Sequence, residues 1–324
     1  MDYLFTRLPR RIVGLRVVLL AVAVAVGVGL ALIFGLPGAW AKGYSAYDDG
    51  KKPVLSYLLS DGRNVEEFKK VFGLSDEKVK EILAVVRQER GSLAREYEQS
   101  DRIVEANKGA SLSKIRNKIS ASNFDEKVGQ EVARTKSEVE KRLPRGRGDE
   151  LDSWVDQQWQ AETAEYRAAS GTTYRASSKG YSCRVWASYY GKKNWNWVAL
   201  PHKKVRFSGG KRVRITNPQK GTSVGAPVED TGPWNIRDNY WRASKHRSMW
   251  KDLPRCVPEA QAAFYDNYNK GEDQFGREVA NPAAVDITPA VARRMGVWKK
   301  IQFRGLIKVR VTFLWAQRKS GSRS

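Results

Sequence analysis

An uncharged apolar run near the N-terminus constrains this chain more than any other feature. The run spans residues 17–41, and four arginines between residues 7 and 16 precede it. About twenty apolar residues in a helix cross the hydrocarbon core of a bilayer. A basic flank predicts that the N-terminus stays in the cytoplasm. We therefore expect residues 1–41 to form a cytoplasmic tip and a single transmembrane anchor, with the rest of the chain outside the cytoplasm.

A cleaved signal segment is the alternative interpretation of the same run. Ala39 and Ala41 flank Trp40 in the small-x-small pattern of a signal-peptidase site. Cleavage there would release the mature chain as a secreted protein. Both interpretations place residues 42–324 outside the cytoplasm.

The chain has only two cysteines, Cys183 and Cys256. Outside the cytoplasm two cysteines often form one disulfide, which we predict here; two unrelated thiols are the alternative. The chain also has only two histidines and no Cys-x-x-Cys motif. We therefore predict no metal site and no cofactor.

Helical periodicity dominates the segment between the anchor and residue 169. Residues 42–62 have the composition of a linker, and two apolar stripes then recur at helical spacing. Their members are Val79, Ile82, Leu83 and Val86, and then Phe124, Val128, Val132, Val139 and Leu143. Because the stripes are narrow and interrupted, they predict a stalk or small bundle that serves as a spacer or self-associates. Trp154 and Trp159 are the predicted packing anchors of a last helix.

The sequence changes character after residues 170–180, "SGTTYRASSKG", a small-residue linker. Short β-rich runs follow, divided by Gly, Pro and Asn. Val213 and Ile215 alternate with polar residues at the period of a half-buried strand. A single helix is predicted at "TPAVARRMG", with Thr288 as its cap. Together the segments predict an α+β protein whose residues 181–324 form a β-barrel.

The charge is strongly positive and concentrated in the predicted barrel. The whole chain carries a formal net charge of +23, and residues 181–324 contain 28 Lys and Arg against 10 Asp and Glu. Such a surface attracts polyanions. Signature motifs of nucleic-acid-binding folds are missing from the sequence, which disfavours nucleic acid as the partner. Anionic wall polymers are the partner that an exported chain would meet.

Five segments of the barrel region carry a family resemblance. They are "ASYYG", "ALPH", "GKRVRITNPQKG", "VEDTGP" and "VDITPAVARRMGV", in this order. In this order they resemble the double-psi β-barrel of the rare lipoprotein A family, to which expansins and membrane-bound lytic transglycosylase A are related. Members of the family bind peptidoglycan or plant wall glycans, and some cleave peptidoglycan strands.

The resemblance implies a set of groove residues. Asp230 and His202 match the aspartate and histidine that line the family's groove, and Asp286 matches a second groove aspartate. Tyr189 or Tyr190, together with Asn217, are candidates for orienting a sugar through hydrogen bonds. Only one of the two tyrosines is expected to face the groove, because neighbouring strand residues point to opposite sides. The candidates for stacking on a sugar face are Trp195, Trp197 and Trp234.

The sequence departs from the family pattern in three places. Thr231 stands where the Asp-x-Gly-Pro motif usually has arginine, so one possible substrate clamp is lost; Thr231 itself is a candidate substrate-binding residue. The segment "KKNWNWV" replaces a usual Ala-Ser-Gly. An insert, residues 234–281, separates the Gly-Pro turn from Asp286. It contains Cys256, so the predicted disulfide would fasten it to the first strand of the barrel.

Two functions follow from the resemblance. The first is a membrane-anchored peptidoglycan lytic transglycosylase, in which one aspartate protonates the glycosidic oxygen and the sugar's own 6-hydroxyl closes onto the anomeric carbon. The carboxyl must be protonated near neutral pH, and we expect Asp230 to be that acid. The second is an expansin-like module that binds wall glycans without cutting them. Structural roles also stay open, namely turn formation for Asp230, helix capping for Asp286 and simple packing for His202.

Overall fold

The computed structural model describes residues 52–169, 181–191, 195–206 and 210–315. The chain divides into two compact units, Met1–Gly43 and Tyr44–Ser324, and every described residue belongs to the second. The predicted anchor or signal segment and the predicted linker at 170–180 lie outside the described residues. Within the described ranges, no helix combines the length and apolar character that a membrane crossing requires.

Helices fill the first described range. They are α1 (Val54–Leu58), α2 (Gly62–Phe72), α3 (Asp76–Ala106), α4 (Leu112–Ser120), α5 (Phe124–Glu140) and α6 (Gly148–Ala169). The side chains of Asp61, Ser75 and Ser111 each accept a backbone N–H in the first turn of the helix that follows. Glycine at position 73 ends α2 with a left-handed backbone, φ 62°.

The predicted apolar stripes are buried, but they do not build a stalk. The stripes of α3 and α5 and the two anchors Trp154 and Trp159 are all within the core. The larger of the two helical clusters continues into Phe264 and Tyr265 of the insert and Leu306 of the barrel. The helices are therefore part of one body with the insert and the barrel. The interrupted stripes are completed by aromatic residues some hundred positions later, which periodicity alone could not place.

Polar contacts reinforce the junction between the helices and the rest of the molecule. The hydroxyls of Tyr57 and Tyr265 lie 2.6 Å apart. Tyr97 of α3 donates to the carbonyl oxygen of Glu278 at 2.5 Å. Lys52 is buried and donates to the carbonyl oxygen of Ala263 at 3.0 Å. These bonds fix α1 and α3 against the insert.

Six strands close into a barrel, which confirms the α+β class and the predicted barrel. They are β1 (Tyr181–Tyr189), β2 (Val198–Leu200), β3 (Arg212–Thr216), β4 (Ser223–Thr231), β5 (Ala283–Ile287) and β6 (Leu306–Phe313). The order around the barrel is β1-β5-β2-β4-β3-β6. The β1–β5 and β2–β4 pairs are parallel, and the other four are antiparallel.

Strand residues alternate between the barrel surface and its interior, and the inward-facing side chains fill the barrel. Val213 and Ile215 are fully buried between the exposed Arg212 and Arg214, as the period-two pattern predicts. Between β5 and β6 lie α8 (Pro289–Arg294) and α9 (Trp298–Arg304). The first of these is the helix predicted at "TPAVARRMG".

The insert has a short helix and a buried charge cluster of its own. Helix α7 covers Glu259–Asp266. Arg247 is buried, donates to Asp238 at 2.5 Å and also donates to the carbonyl oxygens of Leu253, Pro254 and Val257. The disulfide between Cys183 and Cys256 is confirmed, with the two Cα atoms 5.1 Å apart. It joins the insert to β1, as predicted.

Candidate functional site

Four side chains form a row across neighbouring strands of the barrel. Strand pairing sets Ser188 of β1 beside Asp286 of β5, Asp286 beside Ala199 of β2, and Ala199 beside Asp230 of β4. Paired residues project from the same face of a sheet. The row, which we call the aspartate row, therefore presents two carboxylates on one face, with only a methyl group between them.

The Asp-Thr-Gly-Pro turn passes close to the second carboxylate. Gly232 has φ 148°, and a Cβ atom at that position would lie 3.3 Å from Oδ2 of Asp286. Glycine is needed there because its backbone approaches the carboxylate and adopts a conformation that other residues rarely take. The turn that follows Asp230 thereby packs against Asp286.

Asp286 is held in a setting that favours its protonated form. Burial is the main cause, and the negative charges of Asp230 and Asp101 add to it; the pKa of Asp286 rises to about 7. A hydrogen bond donated by the Ser188 hydroxyl acts in the opposite direction. The Asp286 side chain accepts this bond from Ser188 of β1, and the helix-capping role considered for Asp286 stays a prediction.

Asp230 has different neighbours. Its Oδ1 atom accepts the backbone N–H of Thr231 at 2.8 Å and lies 3.4 Å from Nε of Arg206. The turn role considered for this aspartate is therefore real, but it coexists with a place in the row. Arg206 supplies a cation beside the carboxylate, although Thr231 has replaced the arginine of the family motif.

Aromatic side chains border one end of the row. The pKa of Tyr190 is raised first by burial and then by the charges of Asp230 and Asp286, so its hydroxyl lies within electrostatic reach of both. Its ring lies 5.8 Å from that of Trp197, which stacks on Trp195 at 5.6 Å. Trp195 is 46% exposed and Tyr190 48% exposed. These three residues form what we call the aromatic patch.

Contacts around the aromatic patch show which of Tyr189 and Tyr190 lies near the row and what Thr288 bonds to. Tyr189 faces away from the row and meets the ring of Trp298 edge-on at 5.8 Å. Of the two tyrosines, Tyr190 is thus the one that lies near the row, and strand alternation predicts that only one of them does.

The hydroxyl of Thr288 donates to the carbonyl oxygen of Trp197 at 3.0 Å and makes no capping bond to α8. Thr288 therefore orients the aromatic patch, and its predicted capping bond is wrong.

Helix α3 contributes a third carboxylate that sequence analysis missed. Asp101 pairs with Nη1 of Arg277, and its charge reaches both Asp286 and Tyr190. Arg277 is buried and also donates to the carbonyl oxygen of Trp234 at 3.0 Å. No motif marks Asp101, because it lies in a helix 87 positions before Ser188, the first residue of the row, and only the folded structure brings it near.

Three of the predicted substrate contacts, Trp234, Asn217 and Thr231, make contacts within the protein. The ring of Trp234 packs edge-on against Tyr97 of α3 at 4.8 Å and joins the core between helices and barrel. Oδ1 of Asn217 accepts the backbone N–H of Gln219 within the β3–β4 turn. Thr231 contributes its backbone N–H to Asp230, and its hydroxyl is buried.

His202 lies under the insert and not in the row. Its Nε2 atom lies 2.9 Å from the hydroxyl of Ser248, and its Nδ1 atom accepts the backbone N–H of Lys204 at 3.3 Å. Burial, followed by the nearby charge of Lys204, lowers the pKa of His202 to about 4. A neutral, doubly hydrogen-bonded ring fits the packing role considered for it, and the predicted catalytic role has no support in this geometry.

Comparison with known proteins adds one match. Residues 175–304 match a family model described as a domain of unknown function, DUF8814. The match covers the barrel up to α9 and includes the whole aspartate row. No curated protein matches the chain. Across the described ranges, acidic, histidine and cysteine side chains form no group of three or more that could hold a metal ion.

Proposed function

We propose that the chain is an extracytoplasmic protein that acts on wall glycans, and that the aspartate row cleaves them as a lytic transglycosylase. The observation that carries the proposal is the pairing of two carboxylates on one face in unlike surroundings. Asp286 is poised near neutral pH, whereas Asp230 is ion-paired with Arg206. Such divergent environments are typical of acid and charge-stabilising partners in glycoside cleavage.

Each carboxylate has a defined part in the proposed step. Protonated Asp286 gives its proton to the glycosidic oxygen while the bond from that oxygen to the anomeric carbon breaks. Asp230 stabilises the positive charge that develops on the sugar ring. The sugar's 6-hydroxyl then bonds to the anomeric carbon, and its proton passes to the carboxylate of Asp286. The acid is thus restored and a 1,6-anhydro end is formed without water.

This assignment moves the role of the acid from Asp230, where the sequence analysis places it, to Asp286. Asp230 is ion-paired with Arg206 and accepts the Thr231 N–H. Burial and two neighbouring carboxylates raise the pKa of Asp286 to about 7, which suits a proton donor.

The proposal also includes the family to which the barrel belongs and the compartment in which the protein acts. The closed six-stranded barrel, with its parallel β1–β5 and β2–β4 pairs, agrees with a double-psi barrel of the rare lipoprotein A type. The disulfide agrees with an oxidising compartment. We propose a single membrane anchor at residues 17–41 because this run is uncharged, apolar and long enough to cross a bilayer, and a basic segment precedes it.

A non-catalytic wall-binding module is the second candidate. The aromatic patch favours it, because exposed stacked rings such as Trp195 and Trp197 suit the apolar faces of sugars. The net positive charge would add salt-sensitive attraction to anionic wall polymers. In this case the two aspartates would only hydrogen-bond the glycan.

Mass spectrometry of the products released from sacculi tests the proposal. The full chain, Asp286→Asn and Asp230→Asn would each be incubated with peptidoglycan, with Asp149→Asn on α6 as a surface control. We expect wild type and the control to release 1,6-anhydro-ended fragments. Asp286→Asn should reduce release by roughly 100- to 10,000-fold, the usual contribution of a general acid, and Asp230→Asn should reduce it less. Co-sedimentation of all four proteins with the wall, without any soluble product, would establish the binding module instead.

A further inference from the structure

A second recess lies at the opposite end of β1 from the aspartate row. It has a volume of about 380 Å³ and lies between the start of β1, the end of β6 and the insert. Its side chains belong to Tyr181, Trp241, Arg242, His246, Arg255 and Trp315. Tyr181 and Ser188 are seven residues apart on one strand, which corresponds to about 23 Å. The recess is therefore separate from the row.

Rigid aromatic surfaces form the walls of this recess. Trp241 is only 4% exposed and stacks on Phe313 at 4.9 Å. Trp315 meets Trp241 edge-on at 5.9 Å. Large rings fixed in this way offer flat apolar faces at little further cost in side-chain entropy.

Cationic groups form the rim, with no carboxylate among the lining residues. The guanidinium of Arg255 lies over the Tyr181 ring, 4.4 Å from its centroid. Its Nε atom is buried and has no hydrogen-bond partner within the described part of the chain. Arg242 and His246 are exposed on the other side of the recess. An arginine that no carboxylate lining the recess neutralises is suited to a carboxylate or phosphate.

The disulfide holds the two sides of the recess together. Cys256 follows Arg255 directly, and Cys183 lies two residues after Tyr181. The bond thus keeps an arginine of the insert in place over the first aromatic residue of the barrel. Preorganisation of this kind reduces the entropy lost on binding.

We propose that this recess, the anion recess, binds a carboxylate-bearing sugar. The aromatic walls would contact the sugar ring, and Arg255 and Arg242 would pair with the carboxylate. The choice of a sugar over other ring-bearing anions rests on the proposed wall-glycan function. A subsite about 23 Å from the row would hold a glycan strand, or a neighbouring strand, while the row acts elsewhere on the polymer.

Binding of two matched sugars to the full chain tests this proposal. N-acetylmuramic acid carries a carboxylate that N-acetylglucosamine lacks, and ligand-observed NMR would give the dissociation constant of each. We expect the acidic sugar to bind at least tenfold more tightly. Arg255→Gln should raise the dissociation constant for N-acetylmuramic acid at least tenfold, whereas Arg87→Gln on the surface of α3 should leave it unchanged. Trp315→Ala should weaken both sugars.

Three outcomes would overturn the anion recess. These are equal affinities for the two sugars, equal binding by Arg255→Gln and Arg87→Gln, or inorganic phosphate displacing the acidic sugar at equal concentration. If Arg255→Gln misfolds by circular dichroism, the exposed Arg242→Gln replaces it with the same expectation. Asp286→Asn should bind the acidic sugar as wild type does. Failure of the glycan-cleavage proposal would therefore leave this binding result unchanged.

Discussion

Asp286 and Asp230 are identical side chains that differ only in their neighbours. Asp286 faces buried surroundings and two further carboxylates, and Asp230 faces an arginine and a backbone N–H. Asp286 is paired on both sides, with Ser188 of β1 and Ala199 of β2, whereas Asp230 is paired with Ala199 and lies where β4 ends in a turn, beyond the β3 pairing that stops at Pro227. The positions of Asp286 and Asp230 in the barrel therefore give two identical carboxyl groups different surroundings.

The pKa of Asp286 predicts how turnover depends on pH. A general acid works only while it is protonated, and the pKa of this group is about 7. Release of 1,6-anhydro fragments should be near its maximum below pH 7. Above that value it should fall about tenfold per pH unit as the carboxyl ionises. Initial rates between pH 5 and 9 measure this, and a rate that rises through pH 8 would exclude Asp286 as the acid.

Replacing two neighbours of Asp286 should shift the alkaline limb of the pH–rate profile, the fall in release rate above pH 7, in opposite directions. Ser188 donates a hydrogen bond that lowers the pKa, so Ser188→Ala should shift the limb to higher pH. Asp101 raises the pKa through its charge, so Asp101→Asn should shift the limb to lower pH. Ser137→Ala, on the exposed side of α5, is the control that should not move it. Identical profiles for all three variants would contradict the assigned surroundings.

The sequence predicts part of the site formed by the aspartate row and its neighbours, and it misses other residues of that site for a physical reason. Asp230, Asp286 and Tyr190 lie in segments with a recognisable order. Arg206 and Asp101 carry no local signal, because a salt bridge depends on where two distant segments meet. His202 was misassigned since a pattern of residue types cannot distinguish a buried, hydrogen-bonded ring from an open one.

Helix α3 buries an ionisable group where an apolar residue would be expected. Glu89 is 1% exposed and lies among Ser56 of α1 and Thr135 and Glu131 of α5. Burial raises its pKa from 4.5 to about 7, despite smaller opposing contributions from the two hydroxyls. Glu89 lies three residues after Val86 and four before Leu93, so it continues the spacing of the α3 stripe, but its charge kept it out of the predicted core.

Replacing Glu89 should change how stability depends on pH. Because the folded state holds its proton more tightly than the unfolded state, the free energy of unfolding falls as pH rises from about 4.5 to about 7. The loss amounts to about 3 kcal/mol in this window. Glu89→Gln should abolish most of it and be the more stable protein at pH 8. Urea unfolding at pH 5 and pH 8 measures the effect.

The exposed Glu77→Gln at the start of α3 is the control for this experiment. It should retain the wild-type dependence on pH. An equal loss of stability between pH 5 and pH 8 in Glu89→Gln and wild type would contradict the buried carboxyl.

At the scale of the whole molecule, helices and barrel share one core. Trp159 of α6 is 2% exposed and lies 5.2 Å from Phe264 and 5.6 Å from Tyr265, both in the insert. Sequence analysis predicted the barrel and most of the helices but separated them as spacer and domain. It did so because aromatic residues of the insert complete the helical stripes, and such long-range packing leaves no periodic signal.

A shared core predicts that damage to a helix weakens the barrel. Trp159→Ala should lower the free energy of unfolding by about 3–5 kcal/mol. Helical circular dichroism and hydrogen exchange of β1 and β3 amides should report the same loss. Trp195→Ala, an exposed tryptophan, should cost less than about 0.5 kcal/mol. Unchanged exchange in β1 and β3 would show that the helices and the barrel unfold independently.

The position of β1 between β5 and β6 has a consequence for biosynthesis. The first strand of the barrel pairs only with its last two strands, for example Trp186 with Ala283 and Cys183 with Val311. A chain made from its N-terminus must therefore carry β1 without partners while more than ninety residues follow. The barrel therefore cannot close until β6 has been synthesised and has emerged from the ribosome.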